Sequence, residues 1–352
     1  YTGGGCPHIL AEPQRTNLVT YSESFGSGKY FDTYTGANEV SSNNTSPSGT
    51  ENATQIISTG QGKLYAFISL PANTTYSFSF YAKNVDATEV KSRILATGGS
   101  GGSNLTPVSY ISQLSTTEWT KITHIFTTNS TAVQYYVFIS HALSIGGNIQ
   151  IWGAQLELGS FPTSLIPTSG STVTRNQDQF TRDGIGSLIN STEGVLFLEM
   201  AALDNDGTSR QLSLSDGSSS NNKLSIIYTS TTNQIQAFIR ASGSISFNET
   251  FSLTNAATFN KIAIKWKLND FALWVNGIEV SSDFTGAAPV GLNELSFDDA
   301  DGTSKFFGKV KQLQVYDTAL TDEQLLQLTG ESGTDFYESY AEMASALTYT
   351  IQ

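Results

Sequence analysis

Short stretches in which apolar and polar residues alternate with period two recur along most of the chain, and they leave room for little besides β-structure. In the first half these are KLYAFISL, TYSFSFYAK, EVKSRILATG, VSYISQL, EWTKITHIFTT, VQYYVFISHA and IQIWGAQLEL. In the second half they are GVLFLEMAAL, RQLSLSD, KLSIIYTS, QIQAFIRA, SISFNETFSL, FNKIAIKWKL, DFALWVNGIEV, ELSFDD and KFFGKVKQLQVYD. Gly, Asn, Ser and Pro clusters such as LPANTT and TGGSGGSN separate them, a pattern of antiparallel strands joined by turns rather than of βαβ units.

A chain of 352 residues has room for two such folds, each with its own core. Pro162 and Pro167, with the Ser and Thr around them, mark a linker or crossing segment, and the boundary is placed near Thr172. The expected layout is an irregular lead-in over 1–15, a first domain over 16–172, a second over 173–330 and a tail over 331–352. The fold class is all-β: two antiparallel β-sandwiches with short helices toward the carboxy terminus. Asn276-Gly277 signals a hairpin turn and Leu268-Asn269-Asp270 a tight connection. Thr321 with Gln324 forms a capping box for a helix from Asp322 to Leu328, closed by Gly330. A second helix is expected from Phe336 to Leu347, with Asp335 as its cap.

Charge excludes some functions. The net charge is −13, with 18 Lys and Arg against 31 Asp and Glu, and no basic stripe is present, so no nucleic-acid partner is expected. No apolar run approaches the roughly 20 residues that span a bilayer, and no membrane insertion is expected. Cys6 is the single cysteine, so no intrachain disulfide can form. The chain opens at Tyr1 rather than Met, in the irregular YTGGGCPHIL, as expected for a processed or truncated piece of a longer protein. Many Asn-x-Ser/Thr sequons occur, for example at Asn43, Asn73, Asn104, Asn129, Asn190 and Asn248, and they are read as turn residues.

Catalytic machinery is not evident. The three histidines are His8, His124 and His141, no GxSxG elbow occurs, and metal sites of the His and Cys type lack ligands. Glu199 and Glu294 sit singly on their strands, without the same-face partner that glycan hydrolysis would need. No catalytic residue is assigned and the protein is not expected to be an enzyme. No cofactor is expected, with calcium as the one candidate. Asp204, Asp206, Asp298, Asp299 and Asp301 concentrate oxygen ligands in two Gly-containing loops, although neither has EF-hand spacing.

EPQRTNLVTYSESF, from Glu12 to Phe25, and IQIWGAQLELGSFPTSLIPTSGSTVTR, from Ile149 to Arg175, form a matched pair of segments. They resemble those that frame a jelly-roll, carbohydrate-binding-like module in tail-fibre, head-fibre and other surface proteins of bacteriophages. FNKIAIKWKLNDFALWVNGIEV and FFGKVKQLQVYDTALTDEQLLQLTG resemble the carboxy-terminal half of concanavalin A-like (laminin-G-like) sandwiches. The resemblance implies a non-enzymatic virion surface protein, fibre or tail-associated, that binds a bacterial surface glycan and other virion proteins, with homo-oligomeric display outside the cell. Two further readings stay open: a structural decoration or spacer that binds only neighbouring virion proteins, and a polysaccharide-degrading enzyme.

For a sugar, the residues offer one platform. From Thr75 to Lys83, Tyr76, Phe78 and Phe80 share one face of a strand and Ser77, Ser79, Tyr81 and Lys83 the other. With the first face in the core, Tyr81 and Lys83 are glycan-binding candidates, and Tyr136 and Arg93 are candidate neighbours. A pocket around Lys83, Arg93 or Arg240 would suit an acidic sugar. Trp119, Trp152, Trp266 and Trp274 lie in strand segments and are read as packing residues.

Overall fold

Alternation becomes sheet architecture throughout the computed structural model of the chain, which describes residues 8–34, 37–58, 62–97, 108–131, 134–143, 147–218 and 220–330. Contacts divide the chain into two units, Pro13–Gln177 and a second made of Tyr1–Glu12 with Asp178–Gln352. Each is an antiparallel sandwich, the first a jelly-roll and the second concanavalin A-like, as expected.

In the first unit, sheet I runs in the order Thr120–Thr127, Thr75–Asn84, Asn148–Leu158, Ala53–Ser58, Ala37–Asn44. Sheet II runs Asp32–Tyr34, Lys63–Ser69, Gln134–Leu143, Val90–Thr97, Val108–Ser109. Phe78, Phe80 and Ile151 from sheet I meet Leu64, Ile94 and Val137 from sheet II in one buried cluster. Period-two alternation puts these residues on one side of each sheet and their sequence neighbours on the other. His124 lies opposite Phe78 on the core side, where burial lowers its pKa below the usual histidine value.

VSYISQL departs from the expected strand. Only Val108–Ser109 is extended, and a 3-10 turn follows over Ile111–Gln113. Between them Tyr110 is buried and donates its hydroxyl to the Ile139 carbonyl at 2.9 Å, so the chain leaves the sheet to seat one aromatic ring. The strand Val173–Arg175 pairs with Arg15–Asn17, which carries the first unit past Thr172 to Gln177.

In the second unit, sheet III runs Ile9–Ala11, Gly308–Tyr316, Glu193–Ala202, Asn260–Lys267, Phe271–Val275, Ile278–Asp283. Sheet IV runs Thr181–Arg182, Glu294–Ser296, Arg210–Ser215, Lys223–Tyr228, Gln234–Ala241, Ser244–Ser252. Leu196, Leu198, Ile262 and Ile264 of sheet III face Leu212, Leu214, Leu224 and Ile226 of sheet IV in the core. Part of the lead-in, read as irregular, is thus an edge strand: Ile9–Ala11 pairs with Gly308–Val310. Asn276 and Gly277 both have positive φ, 48° and 81°, the requirement of the tight hairpin turn. Gly194 meets a different demand, since a Cβ there would fall 2.4 Å from the Trp266 ring.

The helix Asp322–Thr329 carries the expected capping box, with Thr321 accepting from Gln324 N–H and the Gln324 side chain accepting from Thr321 N–H. Its Leu325 packs on Val195, Phe197, Ala263 and Trp274, on the side of sheet III away from the core. Of the sequons, Asn73 occupies a turn with φ 50°, and Asn129 and Asn190 accept from backbone N–H groups two residues on. Asn248, by contrast, lies within a strand beside Gln236. Cys6, Asn104 and the helix expected from Phe336 to Leu347 lie outside the described residues. Among the described residues no helix is long and apolar enough to cross a membrane.

Candidate functional site

The two matched segments form one hydrogen-bonded frame. Leu18 N–H donates to Leu156 O at 2.9 Å, Ala154 N–H to Ser22 O at 2.8 Å, and Thr168 N–H to Ser22 Oγ at 2.9 Å. The segment after Leu158 then turns back over the outer face of sheet I. There Ser77 Oγ donates to Phe161 O at 3.0 Å, Gln155 Nε2 to Ser164 O at 3.2 Å, and Thr163 N–H to Glu157 at 3.0 Å. Ser77, Ser79, Gln155 and Glu157 are all buried as a result. The polar residues of IWGAQLE and TYSFSF hold a strap; they do not form a surface.

That strap shortens the expected platform to its Tyr81 end. Tyr76, Phe78 and Phe80 face the core as expected, and Tyr81 and Lys83 point outward from sheet I. Tyr81 is half-buried, 5.6 Å from the Trp152 ring, with the Lys121 ammonium 6.0 Å from its centroid. Lys83 lies 5.3 Å from the Trp119 ring, whose indole donates to Thr45 O at 3.1 Å. Gly153, at φ 66°, sits in the bulge between Trp152 and Gln155, where a Cβ would lie 3.2 Å from both Leu165 and Tyr81.

Tyr136 and Arg93 are not neighbours of Tyr81 and Lys83. They belong to sheet II, on its outer face, whereas Tyr81 and Lys83 belong to the outer face of sheet I, and the shared core separates the two pairs. Alternation assigns a residue to a side of its own strand but says nothing about which sheet the strand joins, so the grouping expected from sequence is replaced by two separate faces.

On sheet II, Tyr136 lies opposite Phe67, and Phe138 lies opposite both Tyr65 and Arg93. The ring centroids of Phe67 and Tyr136 are 4.9 Å apart, those of Tyr65 and Tyr136 5.3 Å, and those of Tyr65 and Phe138 5.3 Å. Phe67 is 47% exposed, Tyr65, Tyr136 and Arg93 are half-buried, and Phe138 lies underneath. Four aromatic rings therefore form a continuous strip with a guanidinium beside it. Tyr65, Phe67 and Phe138 were not among the sequence candidates. The signal was present in KLYAFIS, which alternates Leu64 and Ala66 inward with Tyr65 and Phe67 outward.

The aspartate loops are occupied by the protein itself. Asp206 binds Arg210 Nη2 through both oxygens at 2.6 and 2.7 Å, and Arg210 Nη1 donates to Asp204 O at 3.1 Å. Burial raises the Asp206 pKa, but the Thr208 N–H and the Arg210 charge outweigh it and hold the carboxyl below its usual value. Asp299 is paired with Lys223, while Asp298 and Asp301 accept from Ala300 and Thr303 N–H as turn caps. Among the described residues no group of three or more His, Cys, Asp or Glu could hold a metal ion. Glu199 and Glu294 stand in different sheets, III and IV, and burial, together with Asp298 and Asp183, raises the Glu294 pKa.

Residues 19–142 match the family model described as a carbohydrate binding domain. Residues 200–326 match that of the concanavalin A-like lectin/glucanases superfamily. Among solved structures, Ruminococcus gnavus IT-sialidase CBM40 is similar at 16% identity, over 44% of this chain and 94% of that one, with a TM-score of 0.37. A leech intramolecular trans-sialidase is similar at 19% identity, over 46% of this chain and 27% of that one, with a TM-score of 0.37. A native heptameric SAP-like pentraxin from Limulus polyphemus is similar at 14% identity, over 41% and 72%, with a TM-score of 0.32. No curated protein matches the chain. The chain thus joins a segment similar to carbohydrate binding domains to a following segment similar to concanavalin A-like lectins and glucanases.

Proposed function

We propose that the protein is a non-enzymatic glycan-binding protein that holds a host cell-surface saccharide on the outer face of sheet II. The observation that carries this is the strip of Tyr65, Phe67, Tyr136 and Phe138 with Arg93 beside it. Sugar rings present C–H faces that stack on aromatic rings, and a guanidinium adds directional hydrogen bonds to hydroxyl or carboxylate oxygens. The match of residues 19–142 to carbohydrate binding domains supports the same ligand class.

The place of display is a phage virion surface, as a fibre or tail-associated subunit and a homo-oligomer. This rests on the framing segments Glu12 to Phe25 and Ile149 to Arg175. A shallow face of this kind binds one saccharide weakly, and repeated copies on a particle multiply the retention.

Glycan-array binding of the protein tests the reading, with Phe67→Ala combined with Tyr136→Ala as the variant. A drop of at least about tenfold in retention is expected, since two stacking rings are lost. Equal binding by the variant would overturn the site. Release of reducing ends from a bound polysaccharide would overturn the non-enzymatic reading, and failure of antibodies to label purified particles would overturn the virion assignment.

A further inference from the structure

We infer a second saccharide site in the other unit, a groove on the outer face of sheet III built around Glu199. The groove has a volume of about 630 Å³, and Glu199, Phe259, Lys261, Lys311 and Thr329 are among its lining residues. It is the part of that face beside the helix Asp322–Thr329, whose Leu325 covers the neighbouring Phe197 and Trp274.

Glu199 is 5% exposed, on the strand Glu193–Ala202, with Lys261 opposite it on one side and Gln312 on the other. Pairing shifts next to it, from Glu199 with Gln312 to Met200 with Val310, and the extra residue is Lys311. The bulge aims the Lys311 ammonium at Glu199 Oε1, 2.6 Å away. Glu199 Oε2 is buried and has no hydrogen-bond partner among the described residues. A buried carboxylate oxygen without a donor is costly to keep, so the arrangement calls for a donor from outside.

The surroundings select its chemistry. An incoming cation would meet Lys311 and Lys261, and Lys261 already donates to the Gly330 carbonyl. An incoming anion would meet the orphan carboxylate oxygen. A neutral hydroxyl donates to Oε2 without either conflict. Phe259, 38% exposed, has the Lys311 ammonium 5.9 Å from its ring and the His8 ring 5.7 Å away, edge-on, and it offers an apolar surface beside that oxygen. A hydroxyl donor on a ring with a C–H face is a neutral saccharide. The site is independent of the sheet II strip, since it shares no residue with it.

Calorimetric titration with cellohexaose, maltohexaose and mannohexaose tests this, using the 352-residue protein carrying Phe67→Ala and Tyr136→Ala. Binding of at least one probe should persist in that background. Adding Phe259→Ala or Glu199→Gln should then weaken it about ten- to hundredfold, the loss of a stacking ring or of a charge-assisted acceptor. Phe259 is exposed and its truncation should leave the near-UV circular dichroism unchanged, which keeps the test sound if Glu199→Gln unfolds. Absence of binding by all three probes in the background protein, or equal binding after Phe259→Ala, would overturn the site.

Discussion

Asn17 Oδ1 accepts the backbone N–H of Leu156 at 3.1 Å, tying the first matched segment to the second. The same oxygen accepts from Val19 N–H at 3.0 Å, and Nδ2 donates to Ala154 O and Ile166 O at 3.2 and 3.0 Å. One fully buried side chain so satisfies backbone groups from three stretches of chain. Replacing it with Leu removes all four bonds and leaves buried backbone groups unpaired, at about 1–3 kcal/mol each where no water reaches them. Urea denaturation of Asn17→Leu should show a loss of about 3–5 kcal/mol. An unchanged midpoint would show that the frame is not a stabilising element.

Tyr81→Ala with Lys83→Ala should leave glycan retention within about twofold of the starting protein, because both residues lie on the face opposite the Tyr136 strip. Array binding of this variant beside Phe67→Ala with Tyr136→Ala separates the two faces. Loss of binding in the Tyr81 variant alone would move the site to sheet I.

His124 should make stability depend on pH. It faces the core, its Nδ1 is 3.3 Å from Ser92 Oγ, and burial lowers its pKa from 6.5. The unfolded chain then binds a proton more readily than the folded one. Its contribution to stability is full above pH 6.5 and is lost as pH falls from there toward the depressed folded value. Denaturation midpoints of His124→Gln should therefore fall less than those of the parent protein on acidification through that window. Parallel curves would rule out His124 as the cause.

Asp206 and Arg210 give a further check. Arg210 is 3% exposed, and Asp206→Ala would leave its charge buried without a carboxylate. Breaking a fully buried pair costs about 3–5 kcal/mol; with the Asp206 side chain 26% exposed, a loss of about 2 kcal/mol is expected in denaturant titration. Because the Asp206 pKa is lowered from 3.8, the pair's contribution is present above that pH and disappears as the carboxyl protonates below it. A chelator should leave the melting temperature unchanged, since Asp206 and Asp299 are engaged by Arg210 and Lys223. A lowered melting temperature would restore calcium to one of these loops.

Local rules made most of the strands legible. TYSFSFYAK and FNKIAIKWK alternate because each strand turns an apolar side to the core, and Asn276-Gly277 and Thr321 with Gln324 carry turn and cap chemistry within a few residues. ANEVSSNN, the strand Ala37–Asn44, was invisible to that reading, since as an edge strand it shows no apolar alternation.

Sequence by itself therefore determined the all-β class, the positions of most strands and the inward set Tyr76, Phe78 and Phe80, because those follow from backbone periodicity and burial. Tertiary structure alone decided that Tyr81 and Tyr136 stand on opposite faces, that Ser77 and Glu157 lie beneath a strap, and that Lys311 bulges toward Glu199. Period two distinguishes the two sides of a strand, whereas sheet order and register are set by contacts between residues far apart in the chain, and these bring the side chains of a site together.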